Sequence, residues 1–315
     1  MYIHEGYFLG DAWYYVDVDT DAVHMFYLAW PDGDRGRIIV GHAVSQDLVQ
    51  WEPLPPALQP GPAGSWDDLT LCTGSTIKRE GRYWMAYAAT SRTDSSEEEP
   101  FRVQRTGMAV SDDLIAWHRL PENPQTQSGP PHYEGIGSGE RKMAHWRDPF
   151  LFDYEGSVYQ FVCARRSDGE VAARGTVALT KSSEMRHWEI LAPLEHDRIA
   201  DEMEVPQVYQ INGRWYLVFC TLGRFLAPGF RDRFKGPIPE RSNFAMVGSS
   251  PFGPFHIHGT GQIVQHPPDA IFYAAQLVCF RRKWYLLATA EDEVSRRISD
   301  PLPVYGDETG VHECS

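Results

Sequence analysis

The chain has 315 residues, a net charge of −14 and 13% aromatic residues. That length suits one large domain or two small ones. The acidity argues against nucleic acid or an anionic membrane as partner, since both reward clustered Lys and Arg.

Near the N-terminus, Met1-Tyr2-Ile3-His4-Glu5-Gly6 lacks the basic and apolar regions of a signal peptide. Nowhere does the chain approach the roughly 18 apolar residues of a membrane helix. The cysteines (Cys72, Cys163, Cys220, Cys279, Cys314) are odd in number and include no CxxC pair. Reduced thiols and a cytoplasmic protein are therefore expected.

In chain order, a short aromatic strand recurs: His24–Ala29, Trp84–Ala89, Tyr159–Ala164, Tyr216–Thr221 and Tyr285–Ala290. The starts are 60, 75, 57 and 69 residues apart. Gly81, Gly156 and Gly213 each precede their strand by three residues, where a hairpin turn is wanted. A second unit follows each of the first three strands: Ser45 to Trp51, Ser111 to Trp117 and Ser182 to Trp188, with a degenerate copy at Ser249 to Phe255. It reads as a turn residue, an acid, an apolar residue and an aromatic that opens the next strand. Five such copies without sustained helical periodicity predict an all-β, five-bladed propeller with four antiparallel strands per blade around a central channel. One catalytic domain spans residues 1–315, and the segment after Ala290 closes the ring. Glu97-Glu98-Glu99 reads as a solvated loop, and the Gly/Pro/Ser-rich loop from Pro121 to Arg141 as a wall of a pocket.

Three carboxylates hold related places in this repeat. Asp148 lies 11 residues before Tyr159, as Thr73 does before Trp84; Glu204 lies 12 before Tyr216, and Asp11 lies 13 before His24 across a longer hairpin. All fall at or near the innermost strand of a blade, so a propeller brings them together at one mouth of the channel. Carboxylates gathered in an enclosed pocket repel, and their pKa values separate. One then stays ionised while another holds a proton, which is what glycoside hydrolysis requires. Taken singly, Asp11 reads as a turn residue, Asp148 as the ion-pair partner of Arg147, and Glu204 as part of a solvated turn with Asp201 and Glu202. The joint placement outweighs those readings.

Several segments resemble a known family. Gly41-His42-Ala43-Val44-Ser45-Gln46-Asp47-Leu48 through Leu58, Trp66-Asp67-Asp68 followed by Thr73-Gly74-Ser75, Arg147-Asp148-Pro149 and Glu204-Val205-Pro206 are similar to the signatures of glycoside hydrolase family thirty-two, the invertases, inulinases and levanases. The resemblance covers roughly residues 5 to 220. It implies Asp11 as nucleophile on a furanoside, Asp148 as transition-state stabiliser beside Arg147, and Glu204 as acid/base in a retaining double displacement. It also implies Asp67, Thr73 and Ser75 as sugar contacts. Departures occur at Gly10-Asp11-Ala12, where the family has an Asn-Asp-Pro-Asn-Gly run, at Val40 and at Val205. The family's C-terminal β-sandwich is not expected here.

The expected activity is hydrolysis or transfer of a β-fructofuranosyl group. An inverting arabinosidase or xylosidase on the same fold and a non-catalytic carbohydrate-binding propeller are the alternatives. Trp30, with Trp66, Trp146 and Tyr273, is a candidate for stacking on sugar, although propeller aromatics more often fill inter-blade core. The histidines show no metal-ligand spacing, so neither a catalytic metal nor a cofactor is expected. A small carbohydrate is the expected partner, and a homodimer would cover the propeller surface left by a missing sandwich.

Overall fold

A computed structural model describes residues 1–31, 38–137, 143–264, 266–292 and 295–314. The strands form five antiparallel sheets. Blade I comprises Tyr7–Asp17, Ala22–Pro31, Ile39–Ser45 and Glu52–Leu58. Blade II comprises Thr70–Arg79, Arg82–Thr90, Arg105–Ser111 and His118–Arg119. Blade III is Trp146–Tyr154, Ser157–Arg165, Gly175–Ser182 and Glu189–Leu191; blade IV is Glu204–Ile211, Arg214–Leu222, Arg241–Gly248 and Phe255–His256. Blade V is Ile271–Phe280, Lys283–Glu291, Leu302–Gly306 and Val311–Glu313. Thr126–Gln127 adds a short fifth strand to blade II, and Arg296–Ile298 adds one to blade V. The five-bladed reading is thus met. The segment after Ala290 does more than close the ring, because it supplies the outer strands of blade V.

The first strands of neighbouring blades pack in cyclic order, I on II through V on I. They are the innermost strands and line the channel. Apolar clusters fill the spaces between blades. Between I and II, for example, Trp13, Phe26 and Leu58 meet Leu71, Met85 and Tyr87; between V and I, Phe280, Leu287 and Ile298 meet Tyr2, Met25 and Tyr27. Period-2 alternation explains the pattern: both faces of each middle strand meet a neighbouring blade, so those strands read as continuous apolar runs.

Turn chemistry holds the register. The hairpins from first to second strand place Glu80-Gly81, Glu155-Gly156 and Asn212-Gly213 at positive φ, the signature of type I′ turns. Blade V does the same with Arg281 and Arg282. At the next corner Ser45 Oγ accepts the Leu48 amide at 2.9 Å, and Asp47 Oδ1 accepts the amides of Val49 and Gln50 at 2.8 and 2.7 Å. Leu48 takes φ 66°, and the Trp51 indole donates to its carbonyl. Ser111, Asp113, Leu114 and Trp117 repeat this arrangement in blade II. The repeated serine–acid–apolar–aromatic unit is therefore a side-chain-capped turn.

The acidic run Glu97 to Glu99 is exposed, as expected. The described part of the Pro121–Arg141 loop packs into the seam between blades. The Tyr133 ring sits edge-on to Trp146, and Glu134 accepts from the guanidinium groups of Arg165 and Arg174. Residues 138–141 of that loop lie outside the described residues. All five cysteines are unpaired: Cys72, Cys163 and Cys220 are buried, Cys279 and Cys314 exposed. No helix among the described residues is long and apolar enough to cross a membrane.

Candidate active site

Every innermost strand carries a β-bulge at the same level. In blade I, Leu9 pairs with Ala29 and Ala12 with Tyr27, so Gly10 and Asp11 together oppose one residue. The bulged pairs are Cys72-Thr73, Asp148-Pro149, Val205-Pro206 and Ala274-Ala275 in blades II to V. A bulge breaks the ladder and re-aims its side chains. Here five bulges form a ring at one mouth of the channel.

The acids are related by the repeat, but not by one register. Asp11 and Thr73 are second in their bulges, Asp148 is first, and Glu204 stands just before its bulge. Counting from the aromatic strands pairs Thr73 with Asp148; the hydrogen-bond register pairs Thr73 with Pro149 instead. The extra bulge residue and unequal hairpins make simple counting slip by one or two. Three successive backbone places thus present three carboxylates to one space. Asp148, Val205 and Ala274, the first bulge residues of blades III to V, take φ 57°, 51° and 50°. Non-glycine residues in that region cost on the order of 1–3 kcal/mol each and concentrate at sites where geometry serves function.

A cavity of about 440 Å³ opens above this ring. Asp11, Trp30, Thr73, Arg147, Asp148 and Glu204 all line it. Thr73 Oγ1 donates to Asp11 Oδ2 at 2.9 Å. The Arg147 guanidinium is the hub: one nitrogen donates to Glu204 Oε1 at 2.7 Å and to Glu202 Oε2 at 3.0 Å. Its Nε lies 3.5 Å from Asp148 Oδ2, which accepts the Val205 amide at 3.1 Å. The Tyr273 hydroxyl donates a short hydrogen bond to Glu204 Oε2. The backbone beside Asp11 runs close under Trp30, since a Cβ on Gly10 would press on its ring at 3.0 Å and on Leu28 at 3.1 Å.

Two expected sugar contacts lie elsewhere. Asp67 is fully buried and does not line the cavity; it accepts from Arg119 Nε at 2.6 Å and from the Tyr87 hydroxyl at 3.0 Å. A buried carboxylate needs such partners, and these consume it. Ser75 lies below the ring, where its Oγ donates to the Pro149 carbonyl at 2.7 Å and accepts the Leu151 amide at 2.7 Å. It staples blade II to blade III. Trp66 and Trp146 are wall residues of the inter-blade packing, while Trp30 and Tyr273 reach the cavity.

Electrostatics separate the acids. Burial raises Asp148 to about 7, with Arg147 opposing and the charges of Asp11 and Glu204 adding to the rise. Asp11 is raised by burial and by Glu204, against the Thr73 hydrogen bond. Glu204 is raised by burial, while Arg147 and the Tyr273 hydroxyl favour its ionised form. Burial pushes the Cys72 thiol up to about 12, so it stays a neutral thiol in the wall. Among the described residues no group of His, Cys, Asp and Glu side chains has the arrangement of a metal site.

The sequence model described as the glycosyl hydrolases family 32 N-terminal domain matches residues 17–249. The chain belongs to glycosyl hydrolase family 32. Within it, the sucrose-6-phosphate hydrolase of Bacillus subtilis is 25% identical over 222 residues, covering 66% of this chain and 40% of that protein. An insoluble β-fructofuranosidase isoenzyme of Arabidopsis thaliana is 38% identical over 196 residues, 60% of this chain and 33% of that one. The matched segment thus spans well under half the length of these relatives. Among solved structures, a Bombyx mori β-fructofuranosidase superposes with TM-score 0.72 at 19% identity, covering 98% of this chain and 64% of that one. An inulosucrase from Halalkalicoccus jeotgali superposes with TM-score 0.76 at 18% identity, covering 98% and 87%. At such identities the likeness is one of fold.

Several cavity residues of this family member escape sequence reasoning. Arg241 and Arg296 share the Glu291 carboxylate and sit over the rings of Tyr273 and Trp30, 5.6 and 5.7 Å from their centroids. Glu202, expected in a solvated turn, is instead buried and pairs with Arg147. Tyr273 was expected to stack on sugar, and its hydrogen bond to Glu204 had one signal: Tyr273-Ala274-Ala275-Gln276 holds the register of Glu204-Val205-Pro206-Gln207. Arg296, on the short strand paired with the second strand of blade V, stands opposite Glu291 as Arg241 stands opposite Leu222 in blade IV, so the two arginines hold matching places that only the strand register shows.

Proposed function

We propose that the protein cleaves or transfers a β-fructofuranosyl group by a retaining double displacement. The observation that supports this most is the meeting of Asp11, Asp148 and Glu204 around Arg147 in one cavity at the channel mouth. Asp11 attacks the anomeric carbon as a carboxylate, forming an acyl-type ester with the sugar while the bond to the leaving oxygen breaks. Glu204 gives its proton to that oxygen. A water or acceptor hydroxyl then attacks the same carbon, Glu204 takes the proton, and the bond to Asp11 is released. Raised pKa values suit a Glu204 that must start protonated. Asp148 holds sugar hydroxyls, and Thr73 fixes the Asp11 carboxylate. Arg147 orients Glu204 and limits its pKa. Trp30 offers an apolar wall to the sugar.

Arg224, Arg241 and Arg296 also line the cavity, and Glu291 offsets one of the three charges. This favours a donor whose second sugar carries an anionic group, in keeping with relatives named sucrose-6-phosphate hydrolases. Residence in the cytoplasm belongs to the same reading, supported by the unpaired cysteines, as does a single propeller domain, supported by the continuity of the blades.

A proton NMR time course tests it with sucrose, sucrose 6-phosphate, short inulin- and levan-type oligomers and an aryl arabinofuranoside. The expected outcome is fructosyl release with retention, fastest from the phosphorylated donor. Glu204→Gln and Asp11→Asn should lower it by at least about 100-fold each. Full activity in both variants overturns the roles, and arabinose release with inversion favours the pentosidase alternative.

A further inference from the structure

A second cavity of about 420 Å³ lies farther along the innermost strands, toward their first hairpins. It shares no lining residue with the first. Strand rise of about 3.3 Å per residue sets the two cavities on the order of 15 Å apart along the channel. Its walls are aromatic: Tyr15, Phe150, Tyr209 and Trp284 line it, with the Tyr209 ring edge-on to both Phe150 and Trp284 at 5.4 Å.

The decisive residue is Gln276. It is 5% exposed, lines this cavity, and its amide makes no hydrogen bond among the described residues. The repeat supplies an internal control. Gln207 holds the same place after its own bulge, and its amide is fully used. Its nitrogen donates to the carbonyls of Val205 and Ala275 at 2.9 and 3.0 Å; its oxygen accepts the Tyr209 hydroxyl at 3.1 Å and the Leu277 amide at 3.3 Å. The Tyr14 hydroxyl, in the same cavity wall, is buried without a partner, whereas the Gln276 amide opens to the cavity with no partner among the described residues. Buried polar groups are nearly always satisfied, so this hydroxyl and the open amide beside it together offer hydrogen bonds to an occupant.

We infer that this far cavity is a second binding site for a neutral monosaccharide, held between aromatic faces and the Gln276 amide. Aromatic rings pack on the C–H faces of a sugar, and a primary amide offers a donor and an acceptor to adjacent hydroxyls. The lining cation, Lys78, is already paired with Asp19 at 2.6 Å, so no charge is left to select an ion. The volume accommodates a hexose. The site lies apart from the catalytic cavity and does not depend on the fructosyl reading.

Methyl NMR on the full-length Glu204→Gln protein tests it, because Ile77 lines the far cavity and Ile38 the catalytic one. D-fructose and D-glucose are titrated separately. The expected result is a saturable shift of the Ile77 methyl by at least one sugar, with a roughly millimolar midpoint. Gln276→Leu should weaken that midpoint at least tenfold while leaving the Ile38 response unchanged. Should Gln276→Leu fail to fold, Gln276→Asn, which withdraws the amide by one methylene, takes its place with the same expectation. An Ile77 methyl unmoved by either sugar overturns the site, as does an unchanged midpoint in the folded variant.

Discussion

Glu204 is held by two hydrogen-bond donors with opposite prospects. Arg147 carries a fixed charge, whereas Tyr273 contributes only a hydroxyl that favours the ionised carboxylate. Removing that hydroxyl raises the pKa of Glu204. Tyr273→Phe should therefore move the basic limb of the kcat/KM–pH profile upward while leaving the acidic limb in place; a downward shift would contradict the assigned proton donor. Asp148 makes a stability prediction. Its folded pKa of about 7 lies above its ordinary value of 3.8. Below 3.8 both folded and unfolded forms are protonated, and the carboxyl imposes no charge penalty. As pH rises toward 7 the unfolded chain gives up its proton first, and stability is lost until the folded form ionises too. Asp148→Asn should thus stabilise the protein at pH 8 by up to the order of 4 kcal/mol, with the gain fading toward pH 4. Thermal unfolding at several pH values measures this, and a gain that is largest at pH 4 would refute the cause.

The bulged innermost strand is the element on which the site depends. In blade II the ladder resumes at Gly74, opposite Tyr87. A Cβ there would lie 2.2 Å from the Ala86 carbonyl oxygen, a backbone atom that cannot rotate away. Gly74→Ala should cost about 2–3 kcal/mol in urea unfolding, and it should lower activity by displacing Thr73 from Asp11. Alignment of the blades from sequence found the strands yet missed this register. Residue counts see turns and bulges alike as insertions, and only the ladder shows which residue is extra. Likewise Asp67 and Ser75 carry the right residue types in the right motif, but nothing in their local sequence reveals Arg119 or the Pro149 carbonyl as partners.

At the scale of the whole molecule, the ring closes where blade V meets blade I. Tyr2 and Ile298 exchange backbone hydrogen bonds of 2.9 and 3.0 Å, Arg281 pairs with Asp21, and the Thr289 hydroxyl donates to the Gly10 carbonyl. The Tyr2 ring is buried in this seam, its hydroxyl 2.9 Å from that of Tyr27. Because Gly10 adjoins Asp11, the seam also supports the site. Tyr2→Ala should destabilise the fold by about 3–4 kcal/mol, read as an earlier thermal transition. A variant with unchanged stability would show that closure rests on the other contacts.

The five-fold repeat, the turn units and the convergence of Asp11, Asp148, Glu204 and Arg147 at one mouth of the channel were legible in the chain itself. They rest on local pattern: period-2 alternation, turn-forming residues and short motifs. What only the tertiary structure decided is which side chains share a space. Arg241 and Arg296 reach the cavity from outer strands, Tyr273 binds Glu204 from a blade away, and Asp67 turns to Arg119. Gln207 and Gln276 hold matching places with opposite hydrogen-bond fates. The physical reason is that closing the ring sets residues from all five blades within hydrogen-bond reach, and hydrogen bonds depend on distances across the channel that no local stretch of sequence encodes.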